Sequence, residues 1–87
     1  MITLGVARTA LSTSNVPCRQ ITIRAHEGTD EMSIGLSDVD PATRFGFVSD
    51  GEAFTIGPFN DGRGLRPNEV FVVGTVGDRL TWFGENA

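Results

Sequence analysis

Lysine and tyrosine are absent from this sequence, and cysteine, histidine and glutamine occur once each among its 87 residues. Each scarcity excludes something. A lone Cys18 forms no intrachain disulfide and cannot build the thiolate cage of a structural zinc. A lone His26 rules out the multi-histidine metal centre of a cupin-type jelly-roll enzyme. With no Lys, one Gln and five Glu, strong helix formers are sparse. No stretch is long and apolar enough to span a membrane, and Met1–Leu11 lacks the charged start and apolar run of a secretory leader. The net charge of −4 gives a surface that repels phosphate backbones, so nucleic acid is not an expected partner.

What is present favours strands. Val (8), Ile (5) and Thr (9) are stiff side chains that suit a pleated surface. Gly (11) and Pro (4) recur along the chain at turn-like spacings. At 39% apolar content the chain can build one core, as a single β domain over residues 1–87. A domain this small leaves much of its surface in water, and without a disulfide or metal the remaining means of stabilisation is association. All seven basic residues are Arg, which suits bidentate pairing at protein interfaces and equally follows from a GC-rich genome.

The alternation locates the strands. Ile2, Leu4 and Val6 alternate with Thr3, Gly5 and Ala7. In Arg19–Glu27 the residues Ile21, Ile23 and Ala25 fall on one face and Gln20, Thr22, Arg24 and His26 on the other, as in a sheet with one buried side. Met32, Ile34 and Leu36 mark a third strand, Phe45–Val48 a short fourth, and Ala53–Ile56 a fifth with Phe54 and Ile56 inward. Turns are expected at Gly28–Glu31 and Ser49–Glu52, and an exposed loop at 60–64. Near the C-terminus, Gly77–Asp78 between Glu69–Val76 and Arg79–Phe83 predicts a two-residue hairpin. Its register would set Thr75 against Leu80 and Val73 against Trp82. Phe71, Val73, Leu80 and Trp82 would then share one face, and Val70, Val72 and Phe83 the other. Such a hairpin needs cover on both sides, from loops or from another subunit. The expected fold is all-β: a small antiparallel β-sandwich or jelly-roll-like barrel of seven to eight short strands.

Nothing in the chain assembles a catalytic group. Cys18 and His26 share a strand phase but stand ~26 Å apart along an extended chain, too far to act as a pair. Asp38-x-Asp40-Pro41 begins like a calcium loop and stops, so solvated turn carboxylates are the expectation there. Gly74–Thr75–Val76–Gly77 has neither the helix nor the basic surround of a phosphate loop. The chain reads as a non-enzyme with no cofactor and no metal. Arg44, Arg63 and Arg66 lie in or near loops that also carry Phe45, Phe47, Phe59 and Leu65. Arginines beside aromatics make interface anchors and also stem-buried surface arginines. With Phe71 and Trp82 from the apolar hairpin, the candidate interface residues are Arg44, Phe45, Phe59, Arg63, Arg66, Phe71 and Trp82.

The succession as a whole resembles a known group. Ile2-Thr-Leu-Gly-Val-Ala7, Val16–Arg19, Ile21-Thr-Ile-Arg-Ala-His26, Met32-Ser-Ile-Gly35, Asp50-Gly51-Glu52 before Phe54-Thr-Ile56, and Val70 through Trp82 look like the small β-sandwich virion proteins of tailed bacteriophages. Head decoration, or cement, proteins are the nearest in kind. The resemblance spans nearly the whole chain through strand and turn order. It implies a structural protein made in the host cytoplasm and carried on the capsid surface. Its partners would be copies of itself, as a homotrimer, and the major capsid protein. The alternative is a carbohydrate-binding or host-attachment module of a tail or fibre, with Trp82 and the Phe-rich loops as a sugar-stacking platform.

Overall fold

The computed structural model describes residues 2–6, 8–37, 39, 44–57 and 64–86. Among them are eight strands: β1 (Ile2–Thr3), β2 (Thr9–Ala10), β3 (Cys18–Ala25), β4 (Met32–Gly35), β5 (Gly46–Val48), β6 (Ala53–Ile56), β7 (Phe71–Val73) and β8 (Arg79–Asn86). A single 3-10 turn, Pro67–Glu69, precedes β7. The strands form two four-stranded antiparallel sheets, ordered β1-β8-β3-β6 (the first sheet) and β2-β7-β4-β5 (the second). The pairings β1 with β8, β2 with β7, β3 with β6 and β4 with β5 describe one long antiparallel ribbon wound over itself between two layers. This is the winding of a jelly roll. The expected all-β sandwich is present, in its jelly-roll form.

The alternation in β3 decides the core. Ile21, Ile23 and Ala25 are buried while Arg19 and Arg24 face water. A register shift between Cys18 and Gln20 brings Cys18 to the inside as well. From the other layer Met32, Ile34, Val48 and Val72 close the same cluster. Each fully buried Ile or Leu side chain contributes about 1.5–3 kcal/mol against its exposed state, so the two layers hold together mainly through this seam.

The expected hairpin at Gly77–Asp78 is not formed. The chain turns there, with Gly77 at a φ of 95° that suits glycine, but β7 belongs to the second sheet and β8 to the first. Val73 pairs with Ser33, and Trp82 with Ile23. Residues 74–78 are therefore an arch between layers. Gly77 N–H donates to the Leu4 carbonyl (2.9 Å) and Leu4 N–H to the Asp78 carbonyl (2.8 Å). The buried Asp78 carboxylate accepts from Thr75 N–H (3.2 Å) and Asp30 N–H (3.3 Å). The physical reason lies in cover. Paired as a hairpin, the two segments would have needed shielding on both faces. Split between layers, they send Val70, Val72 and Leu80 into one shared core.

The expected faces change accordingly. Phe71 and Val73, alternating with buried Val72, lie on the outer side of the second sheet and are half-buried. Trp82 stands opposite the buried Ile23 and packs, partly buried, against the core. Phe83 lies on the outer side of the first sheet, 60% exposed.

Candidate docking surface

β5 and β6 each end their sheet, so two strand edges run side by side along one flank of the sandwich. Among the described residues, no strand pairs with the outer edge of β6. Ala25 N–H donates to the Glu52 carbonyl (2.9 Å) and the register continues through Ile23 opposite Phe54. Alternate residues of an antiparallel strand bond the same neighbour, so Phe54 and Ile56 bond β3 while the N–H and C=O of Ala53 and Thr55 point away from it. The side chains of Phe54 and Ile56 face inward but stay only half-buried, and no further strand among the described residues covers them.

The β5 edge supplies the aromatics. Val48 is buried in the core, while Phe45 and Phe47 are each 49% exposed. Gly46 lies under the Phe54 ring: a Cβ at this position would come within 2.5 Å of it. The missing side chain lets the ring of one layer lie on the backbone of the other. Leu65 joins from the far side through paired backbone bonds with Cys18 (2.8 and 2.9 Å). Phe45, Phe54, Thr55, Ile56 and Leu65 together line an apolar groove of about 440 Å³. On the outer side of β5 the Arg44 guanidinium stands 4.4 Å from the centre of the Phe47 ring, pairs with Glu31 and reaches Ser33 Oγ at 3.4 Å. The stacking is worth about 0.5–1 kcal/mol at such an exposed place, and its main effect is to hold Phe47 in one position.

The structure brings together only part of the expected interface set. Arg44 and Phe45 meet on the β5 flank. Phe71 belongs to the outer side of the second sheet, two strands away. Trp82 faces the core and packs against it, partly buried. Arg66 pairs with Glu69 (3.2 Å) and donates to the Asn15 carbonyl (3.0 Å) at the 3-10 turn. Phe59 and Arg63 lie outside the described residues, as do Asp38 and Asp40. The chain matches no family model, no curated protein and no solved structure.

The side chains with reactive potential are engaged in structure. Burial pushes the Cys18 thiol above its usual pKa, away from the nucleophilic thiolate. His26 Nε2 and Thr81 Oγ1 share a hydrogen bond of 2.8 Å. Asp50 accepts from Gly28 N–H at 2.9 Å within the turn before β6. Among the described residues, no three or more His, Cys, Asp or Glu side chains are grouped to hold a metal, and no helix is long and apolar enough to cross a membrane. Sequence reasoning missed the open edge of β6, because strand order is not written in local pattern. It also missed the part played by Gly46, whose only signal was a glycine between two phenylalanines.

Proposed function

We propose that this chain is a non-catalytic structural protein that works by packing against neighbouring protein subunits, and specifically a decoration protein of a phage capsid that bridges coat subunits. The observation that carries this reading is the β5–β6 flank, where an apolar, aromatic groove lies beside a strand edge with open hydrogen-bonding groups. An edge strand recruits an extended partner through its backbone, and neighbouring apolar pockets select the partner's side chains. Jelly rolls build viral capsid domains as well as lectins and cupins, so the fold alone does not choose among these. The flank favours a protein partner. The virion setting rests on the likeness in strand and turn order.

The mechanism would be linkage. Binding only the assembled shell lowers that state's free energy as the logarithm of ligand concentration over Kd. Many symmetric copies turn a weak single contact into a strong collective one. The first test is the assembly state by light scattering and sedimentation velocity. The wild type should run as an oligomer, with a homotrimer expected, and Phe45→Asp or Phe47→Asp should weaken that association about tenfold or more. A wild type that stays a monodisperse monomer at high concentration would count against self-assembly through this flank.

A further inference from the structure

The arginines of the described residues divide into two groups. Arg19 pairs with Glu85, Arg44 with Glu31 and Arg66 with Glu69, while Arg8 donates to the Val39 carbonyl. Arg24 and Arg79 have no partner among the described residues, and both lie on the outer face of the first sheet. The register sets Arg24 opposite Thr81, and His26 N–H donates to the Arg79 carbonyl across the same two strands (3.0 Å). Three basic residues of one face, Arg24, His26 and Arg79, thus surround the Thr81 hydroxyl, itself hydrogen-bonded to His26. Arg24 and Arg79 are diagonal neighbours in the β3–β8 register, and their like charges repel with no ion pair to offset them among the described residues. In a chain of net charge −4, acidic partners were not in short supply. Two exposed guanidinium groups left free on one face can pair with an anionic ligand.

The surroundings narrow the ligand. Arg24, His26, Glu27, Gly51 and Thr81 border a cleft of about 430 Å³ at the end of the sheet. Beyond it Ala53 stands next to Arg24, and Thr55, Thr22 and Phe83 form the next row. The exposed Phe83 ring lies two residues from Thr81 and four from Arg79, ~13 Å along the strand. An inorganic anion would use the arginines and nothing else. A saccharide carrying a carboxylate would use all of the face, with planar Arg forks on the carboxylate, a ring face against Phe83, and Thr hydroxyls and the Glu27 carboxylate for its hydroxyls. We propose that the outer face of the first sheet is a binding site for an acidic, uronate-type oligosaccharide, held by Arg24 and Arg79 and stacked on Phe83. This face borders the β5–β6 flank along β6, where Thr55 belongs to both, while Arg24, Arg79 and Phe83 lie outside the groove.

Titration of the full chain with trigalacturonate, followed by backbone amide NMR and calorimetry, tests this. The expected result is shifts concentrated in residues 22–26, 51–55 and 79–83, with maltotriose causing none and binding weakening as salt is added. Arg24→Gln with Arg79→Gln should lower affinity about tenfold or more, Phe83→Ala should lower it severalfold, and Arg66→Gln should leave it unchanged. All the substituted residues are exposed, and retained amide dispersion verifies that each variant is folded. The proposal is overturned if trigalacturonate gives no shifts, if maltotriose binds equally well, or if the double variant binds as the wild type does. Acetate or sulfate matching trigalacturonate at equal concentration would reduce the site to a simple anion site and overturn the saccharide assignment. Binding of a polyglutamate peptide in preference to trigalacturonate would also overturn it, in favour of an acidic protein.

Discussion

The outer face of the first sheet and the β5–β6 flank are made by the same period-two alternation, yet one presents threonine and arginine and the other phenylalanine. In β3, in the middle of the first sheet, the inward positions Ile21, Ile23 and Ala25 are sealed, and the outward positions are free to be polar. The Thr22 and Thr55 hydroxyls even bond each other across β3 and β6 (3.1 Å). At the flank no further strand among the described residues covers the inward positions Phe54 and Ile56. Phe45, just before β5, lines the same groove, and it stays 49% exposed. A strand's place in its sheet decides whether its exposed residues are solvated or sticky, and the strand's own pattern does not.

The largest expected effect comes from the core on which both regions rest. Ile23 pairs with Phe54 on one side and Trp82 on the other, and Ile23→Ala should destabilise the fold by about 2–5 kcal/mol in urea unfolding. Phe83→Ala, on the polar face, should stay within about 0.5 kcal/mol. Similar losses for the two would erase the distinction between core and face. A smaller effect is expected at the flank: Gly46→Ala drives a methyl into the Phe54 ring and should cost about 1–3 kcal/mol, together with altered ring chemical shifts for Phe54. A silent Gly46→Ala would mean that the layers do not meet as closely there as described.

The smallest effect concerns pH. Burial raises the Cys18 thiol pKa in the folded protein, so above the ordinary thiol range the unfolded chain releases a proton that the folded one keeps. The stabilisation is complete below the unfolded pKa and is lost as pH rises through the folded one. The urea midpoint should fall over that alkaline window in the wild type more than in Cys18→Ala. Equal slopes would place Cys18 in contact with water.

Much of the fold was legible along single strands. The inward set Ile21, Ile23 and Ala25, the inward Phe54 and Ile56, and the opposition of Trp82 to Phe83 all follow from alternation, because a pleated strand has only two faces. The pairing of β7 and β8 was not legible. A glycine turn between two apolar runs signals a reversal, but it carries no information on whether the runs bond each other or enter different layers. The candidate site suffered for the same reason. Arg44 and Phe45 were visible as neighbours in sequence, whereas their grouping with Phe54 and Leu65 depends on which strands end each sheet. The unpaired state of Arg24 and Arg79 depends on where the carboxylates fall in space.

β8 lies between β1 and β3, so the strand synthesised last among the eight belongs to the middle of its sheet. Until residues 79–86 have left the ribosome, β1 has no partner and one side of β3 is open. The growing chain must therefore carry unsealed apolar strands until β8 emerges, and close them in one step. Such long-range closure is slow, on the order of milliseconds to seconds, and aggregation competes with it during that interval. Yield in the cell should consequently depend more on how fast this final strand docks than on how stable the finished sandwich is.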